Sequence, residues 1–203
     1  MRNIFVTGIG TDVGKTVVSS ILVEKLKADY WKPIQAGSLN DTDTMKVKKL
    51  ISNSNSIFHP ESYCLSGFMS PHAAANNDGI KISLSKIKLP VTKNNLIIEG
   101  AGGLMVPLND KTLVIDLIKY LKVEVVLVSK NYLGSINHTL LSIDLLKGRD
   151  IKITGIVFNG VPNEETERFI LKYSGLKCLA KIKQAQKINS DFISKNTASF
   201  LIY

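Results

Sequence analysis

The stretch VTGIGTDVGKT, residues 6–16, decides the fold of this chain of 203 residues. It continues the apolar run NIFVT at 3–7, which is typical of a buried strand, and it leads into a helical pattern over 15–28. Backbone N–H groups of such a loop can surround phosphate oxygens, Lys15 can reach the β- and γ-phosphates, and Thr16 can bind Mg²⁺. The common pattern has a glycine where Ile9 stands, so the spacing is altered.

Strand and helix patterns alternate along the rest of the chain. Strands are predicted at 3–7, 30–34, 95–100, 123–129, 152–159 and 177–182, and helices at 15–28, 42–51, 113–121, 135–147, 163–174 and 186–195. This order predicts an α/β fold over residues 1–203: a single-domain, doubly wound, mostly parallel sheet flanked by helices, of the P-loop NTPase type. Residues 52–80 look irregular and are interpreted as a functional loop. Ligands of such sheets bind beyond the C-terminal strand ends.

Composition excludes several functional classes. The net charge is +9, but the lysines are scattered without an aromatic-plus-basic motif, which indicates a solvated surface rather than a nucleic-acid site. No apolar run is long enough to span a membrane. Cys64 and Cys178 are far apart, which favours a reducing cytoplasm over a disulfide framework. His59, His72 and His138 lack metal-ligand spacing.

Charged residues stand near two further strand ends. Glu99 ends the run NLIIEG, where a carboxylate can support Mg²⁺ beside phosphates. Lys32 lies near the end of a predicted inner strand, where a buried ammonium needs an anionic partner, although a lysine that reaches solvent is the default at such a position. Asp43 is either a metal ligand or a first-turn acid, with Asp41 or Thr42 as the helix cap.

Seven segments together resemble the dethiobiotin synthetase family: VTGIGTDVGKT, WKPIQAGS, TDTM, MSPHAAA, IIEGAGG, LGSINH and VFNG. The family loop also has a glycine, five residues and then Gly-Lys-Thr, and the likeness covers residues 1–182. It implies an ATP- and Mg²⁺-dependent ligase that closes the ureido ring in biotin synthesis. One amine of 7,8-diaminononanoate takes up CO₂, the carbamate attacks the γ-phosphate of ATP, and the second amine displaces phosphate from the resulting carbamic–phosphoric anhydride.

The resemblance also implies roles for individual residues. The catalytic residues are Lys32, Lys15 and Thr11, and the metal ligands are Thr16, Asp43 and Glu99. ATP would bind Asp12, Val13, Gly14, Lys15, Thr16, Val17, Asp43, Glu99, Gly100, Ala101, Gly102, Asn159 and Gly160. The substrate would bind Thr11, Lys32, Ser70, Pro71, Gly134, Ser135 and Asn137. The last three would act across a homodimer interface, and no nucleic-acid or membrane partner is expected.

Two departures from the family and three rival classes bear on this interpretation. Ala36 stands where the family usually has a hydroxyl residue, and Gln35 or Ser38 could replace the missing hydrogen bond. Segment 182–185 lacks the proline that is frequent in the family near the base, which leaves the nucleotide preference open. The alternative function is a ParA/MinD-like ATPase switch, but such switches carry a lysine where Gly10 stands. A GTPase would need an Asn-Lys-x-Asp motif, and a kinase with an arginine lid would need more arginines.

Overall fold

A seven-stranded parallel sheet forms the centre of the computed structural model, which describes residues 1–202. Its strands, in spatial order, are β11 (Cys178–Lys183), β10 (Ile153–Gly160), β9 (Glu124–Lys130), β1 (Asn3–Gly8), β6 (Leu96–Gly103), β2 (Asp29–Trp31) and β4 (Phe58–His59). Two small sheets pair β3 (Ile34–Ala36) with β5 (Tyr63–Leu65) and β7 (Pro107–Asn109) with β8 (Thr112–Leu113). The predicted α/β class is confirmed.

Helices cover both faces of the central sheet. They are α1 (Lys15–Leu26), α2 (Asp43–Leu50), α3 (Pro71–Asn77), α4 (Val114–Leu121), α5 (Ser135–Gly148), α6 (Glu164–Ser174) and α7 (Ser190–Thr197), with a short 3-10 helix at Leu84–Lys86. Side chains of β1 alternate between the two faces: Phe5 packs in the layer that contains Ile118 of α4, and Ile4 packs in the layer that contains Ile21 of α1. Within residues 1–202, no helix is long and apolar enough to cross a membrane.

The strand order places a crevice at the end of β1. The chain passes from β1 over β6 to β2, and later from β6 over β1 to β9, so β1 and β6 mark the point where the order reverses. Val6 of β1 is in register with Glu99 of β6, and Tyr30 of β2 is in register with Ile97. The C-terminal ends of these three strands therefore meet at one edge, where such sheets bind ligands.

Three sequence-based boundaries are wrong. The predicted strand 30–34 ends at Trp31, and Ile34 instead begins β3, which pairs with β5. Pro33 separates them because it has no N–H to donate to a ladder. Residues 52–80 contain β4, β5 and α3 rather than only irregular chain. The last helix begins at Ser190, not 186, because the Asn189 side chain accepts a hydrogen bond from the Phe192 N–H at 3.0 Å.

Candidate active site

The phosphate loop runs from the end of β1 to the start of α1, and buried contacts fix its shape. Gly14 has φ +94°, and a Cβ there would lie 2.1 Å from the Asn159 side-chain nitrogen, so only glycine fits. Asn159 Nδ2 donates to the Val13 carbonyl at 2.9 Å. Val13 is buried, and its side chain occupies the space beside Gly8 that a Cβ would need. The end of β10 thus supports the loop from one side.

Lys15 is a buried cation, and no carboxylate of residues 1–202 lies within salt-bridge distance of it. Its ammonium donates to the Gly10 carbonyl at 2.9 Å. Burial, together with the nearby charge of Lys32, lowers the pKa of Lys15 to about 8, against the raising influence of Glu99. An anion bound in the loop would stabilise the charged form of this lysine. These features suit a residue that meets phosphate oxygens.

Glu99 is buried at the end of β6 and receives donors on both oxygens. Thr16 Oγ1 donates to Glu99 Oε1 at 2.9 Å, and the Tyr30 hydroxyl donates to Oε2, also at 2.9 Å. The carboxylate is only 1% exposed, so it depends on these donors and on a neighbouring cation for its stability. The structure thus brings Thr16 and Glu99, two of the expected metal ligands, into direct contact at this strand edge.

Lys32 supplies the cation that Glu99 needs. Its Nζ lies 3.2 Å from Glu99 Oε1 and 2.6 Å from Asp43 Oδ2, and it donates to the Gly100 carbonyl at 3.2 Å. Burial by itself would lower the pKa of Lys32, but the two carboxylates outweigh it and raise the pKa above its ordinary value. Lys32 is therefore not a lysine that reaches solvent, the default that its sequence position alone suggested; it is buried between two carboxylates.

The start of α2 directs Asp43 toward Lys32. Thr42 is the cap, because its hydroxyl accepts from the Met45 N–H at 3.2 Å, which leaves the Asp43 carboxylate free for other partners. Gln35 Oε1 accepts from the Asp43 N–H at 3.2 Å. Lys46, one helical turn later, has its Nζ 3.6 Å from Asp43 Oδ1. Asp43 is thus held between two lysines rather than acting only as a first-turn acid.

A cavity of about 640 Å³ joins these groups, a size suited to a small-molecule ligand. Predicted site residues that line it are Thr11, Asp12, Gly14, Lys15, Thr16, Lys32, Asp43, Ser70, Pro71, Glu99, Ala101 and Gly102. Gln35, Ala36 and Ser38 line it too, so both substitutes considered for the missing hydroxyl at Ala36 face the same space. Ile34, Lys46, Phe68, Met69 and Val106 complete the wall.

The other predicted residues lie around or away from this cavity. Val13, Val17, Gly100, Asn159 and Gly160 do not line it, although Gly100 accepts from Lys32 and Asn159 supports the loop. Gly134 and Asn137 line a separate cavity of about 730 Å³ at the start of α5. Ser135 is buried beside them, and its hydroxyl has no hydrogen-bond partner in the part of the chain that the structure describes.

The oxygen donors fit a magnesium ion that keeps water and phosphate ligands. Mg²⁺ commonly takes one or two carboxylates together with substrate phosphates. Thr16, Asp43 and Glu99 offer a hydroxyl and two carboxylates. They lie close together, because Thr16 contacts Glu99 and Lys32 contacts both carboxylates. Among residues 1–202, no group of three or more His, Cys, Asp or Glu side chains could hold a metal ion. An ion here would therefore depend on the hydroxyl and on substrate oxygens.

Sequence reasoning missed two side chains of this cluster, Tyr30 and Lys46. The spacing offered a partial signal for each: Tyr30 is two residues before Lys32 in an extended stretch, and Lys46 is one turn after Asp43 in α2. Recognising them required the register of β2 against β6 and the position of α2, which the sequence pattern does not supply.

Comparison with solved structures shows the fold alone. The cell-division ATPase MinD of Pyrococcus furiosus has a TM-score of 0.63 at 14% identity, with 98% of both chains covered. A ParA family ATPase of Chlorobium tepidum has a TM-score of 0.59 at 12% identity, covering 98% of this chain and 92% of the other. These proteins share the P-loop architecture, but such low identities do not favour the ParA/MinD-like function.

Sequence comparison is far more specific. A family model described as an AAA domain matches residues 2–191. The chain is 53% identical to the ATP-dependent dethiobiotin synthetase BioD of Cytophaga hutchinsonii, over 96% of this chain and 94% of the relative. It is 55% identical to the BioD protein of Christiangramia forsetii, over 90% and 88% of the two chains. With the loop, the paired carboxylates and the lysines in one cavity, these matches show that the chain belongs to the dethiobiotin synthetase family.

Proposed function

We propose that this chain converts 7,8-diaminononanoate, CO₂ and ATP into dethiobiotin, ADP and phosphate, with Mg²⁺ as the metal. One observation carries the proposal: the buried Lys32 ammonium joins Asp43 and Glu99 beside the phosphate loop, in a cavity with room for a second substrate. A nucleotide switch needs no such second compartment. The relatives' name, ATP-dependent dethiobiotin synthetase, supports dethiobiotin as the product and ATP as the co-substrate.

The reaction proceeds by phosphoryl transfer followed by ring closure. One amine adds to CO₂ and loses a proton, which gives a carbamate. A carbamate oxygen attacks the γ-phosphorus of ATP and ADP leaves, so a carbamic–phosphoric anhydride forms. The second amine then attacks the carbamoyl carbon, loses a proton and expels phosphate. Phosphoryl transfer depends mainly on positioning and charge stabilisation, which the protein's cations supply.

Three residues would act on the reacting groups. Lys15 and Lys32 would neutralise the carbamate and the migrating phosphoryl group, since both ammonium groups are buried in the cavity wall. In a site shielded from water, such charges stabilise a transition state more than they would in solution. Thr11 lines the same space and would contact the carbamate. Ser70 and Pro71 would contact the diamine from the opposite segment.

The nucleotide would extend from the loop toward the end of β10. Asp12, Val13, Gly14, Lys15, Thr16 and Val17 would surround its phosphates, with Gly100, Ala101 and Gly102 beside them. Asn159 and Gly160 would contact the adenine. Mg²⁺, held by Thr16, Asp43 and Glu99, would neutralise charge on the β- and γ-phosphates.

The substrate carboxylate would bind a second protomer of a homodimer. Gly134, Ser135 and Asn137 stand at the start of α5, where free N–H groups and the helix dipole favour an anion. Leu133 beside them is fully exposed and Tyr132 is half exposed, which suits a surface that a partner covers. The dimer would place this segment beside the first cavity of the other protomer.

We also propose that residues 1–203 act as one ligase domain in the cytoplasm. The described strands build one main sheet, and the three core layers adjoin it. Cys64 and Cys178 are both free thiols, as in proteins of a reducing compartment.

Measuring ADP release tests the proposed reaction directly. ADP should form only when diaminononanoate, bicarbonate and Mg²⁺ are all present, with dethiobiotin in equal amount. Turnover without the diamine, or stimulation by DNA or lipid vesicles, would contradict the ligase function. Lys32→Met should abolish dethiobiotin formation while ADP still binds. Lys49→Met is the matched control, because Lys49 pairs with Asp41 on the surface and should leave the rate unchanged.

A further inference from the structure

The two oxygens of Glu99 have different partners. Oε1 receives Thr16 and Lys32, the two groups that line the cavity, at 2.9 and 3.2 Å. Oε2 receives the Tyr30 hydroxyl at 2.9 Å, and Tyr30 does not line the cavity. One oxygen therefore faces the proposed phosphate and metal site, and the other is held from inside the protein.

The sheet explains why Tyr30 reaches this oxygen. Tyr30 is in register with Ile97, and Glu99 lies two residues further along β6, so both side chains project from the same face of the sheet. Tyr30 has no exposed surface, and its ring packs 5.8 Å from that of Phe58 on the edge strand β4. The phenol is thus enclosed in the core and packed against Phe58, which leaves it little freedom to move away from Glu99.

The Tyr30 hydroxyl is fully buried and donates to Glu99 Oε2 at 2.9 Å. A buried donor of this kind restricts a carboxylate to one orientation, because rotation of Glu99 would leave both the hydroxyl and Oε2 without partners.

We propose that Tyr30 is a positioning residue that holds Glu99 with Oε1 directed to a divalent cation bound with the nucleotide. This inference rests on the proposed function, in which Thr16, Asp43 and Glu99 hold Mg²⁺. Outer partners of metal-ligating carboxylates fix the ligand's orientation, and their loss typically weakens metal affinity by about 10- to 100-fold. Tyr30 would therefore act through Glu99 without touching the substrates.

The test compares Tyr30→Phe with Tyr63→Phe, a matched control. Tyr63 is also buried, and its hydroxyl bonds to Ser83 away from the cavity. ADP binding is measured by calorimetry across a Mg²⁺ series and in EDTA. Tyr30→Phe should need about 10- to 100-fold more Mg²⁺ for half-maximal tightening of ADP binding. Its ADP affinity in EDTA should match that of the wild type, and Tyr63→Phe should match the wild type throughout.

The inference would be overturned if Tyr30→Phe and the wild type required equal concentrations of Mg²⁺. It would also be overturned if Tyr30→Phe lost ADP affinity to the same extent with and without Mg²⁺, because that result indicates a purely structural role. Adding Tyr30→Phe to Glu99→Gln should cause no further change in the Mg²⁺ requirement, and a full second shift would also overturn it. Tyr30→Leu, which likewise lacks the hydroxyl, provides the measurement if the phenylalanine variant folds poorly. If Mg²⁺ does not change ADP binding by the wild type, both the proposed metal site and the role of Tyr30 are refuted. If Mg²⁺ tightens ADP binding equally in the wild type and in Tyr30→Phe, only the role of Tyr30 is refuted.

Discussion

Replacing Lys32 by methionine tests whether the buried ion cluster depends on this ammonium. Lys32→Met keeps an unbranched chain of similar length but removes the charge that lies between Glu99 and Asp43. The side chains of Lys32 and Glu99 are 5% and 1% exposed, so water cannot replace the lost partner. We expect the variant to be less stable than the wild type when no ligand is bound.

The size of the loss follows from what remains around each carboxylate. Removing one partner of a buried ion pair typically costs about 3–5 kcal/mol. Glu99 would keep hydroxyl donors from Thr16 and Tyr30, and Asp43 is 21% exposed and would keep Lys46. These remaining partners put the expected loss at the lower end, about 3 kcal/mol.

Urea unfolding followed by fluorescence measures this loss, because the only tryptophan, Trp31, is buried next to Lys32. The double variant Lys32→Met/Glu99→Gln should recover at least about 1 kcal/mol relative to Lys32→Met, since it removes the unpaired charge as well. Lys49→Met, which breaks an exposed pair, should cost less than about 1 kcal/mol. A loss below about 1 kcal/mol for Lys32→Met, or strictly additive single variants, would refute the reasoning.

Three further predictions concern stability, the loop and the dimer. Glu24 is partly desolvated, which would raise its pKa, but it accepts a hydrogen bond from Lys27 and four more from residues 52–53, which lower the pKa from 4.5 to about 2; its stabilisation is therefore complete above pH 4.5 and is lost as the pH falls through 2. The shift corresponds to about 3 kcal/mol, which solvent screening reduces to about 2, and Glu24→Gln should flatten the difference in urea stability between pH 7 and pH 2 by that amount. Gly14→Ala should weaken ADP binding by about tenfold or more, because the positive φ of Gly14 and the Asn159 side chain beside it would cause strain of about 1–3 kcal/mol. Gly175→Ala is the control: Gly175 also has a positive φ but lies in open space, so this variant should bind ADP normally in the same titration. Asn137→Ala should raise the KM for the diamine more than the KM for ATP in steady-state assays, and an unchanged diamine KM would count against a shared site.

The sequence predicted best those features that local pattern determines. The inner strands β1, β9 and β10 are long, apolar runs, and the loop lies between the predicted strand and helix. The edge strand β4 was missed because it has only two residues and no detectable periodicity. Its position depends on Asp29 of β2, whose buried carboxylate accepts from the Ile57 N–H at 2.9 Å and contacts His59 Nε2 at 3.3 Å. A contact across 28 residues cannot be derived from a local pattern.

The residues of the candidate site also differ in whether a local sequence pattern could predict them. Lys15, Thr16 and Glu99 were predicted from motifs at strand ends, and the structure brings them into one cavity. The sequence left Asp43 open between a metal ligand and a first-turn acid; the structure shows that Thr42 caps α2 and that the Asp43 carboxylate lies beside Lys32. Tyr30 has no motif of its own, because its role depends on which strand lies beside β2.

At position 10 this chain departs from the pattern expected of ParA/MinD-like switches, which is a lysine five residues before Lys15. The fold resembles those of MinD and ParA proteins, but a shared fold does not by itself determine function. Packing does not exclude a side chain here, because a Cβ at Gly10 would have nothing within 4 Å. Instead, the Gly10 carbonyl accepts a hydrogen bond from the Lys15 ammonium at 2.9 Å, and the next residue, Thr11, lines the cavity. A lysine at position 10 would add a second ammonium near Lys15, at the edge of the cavity in which the proposed ligase would bind CO₂ and the diamine, and this charge is a physical reason for a glycine in the proposed function.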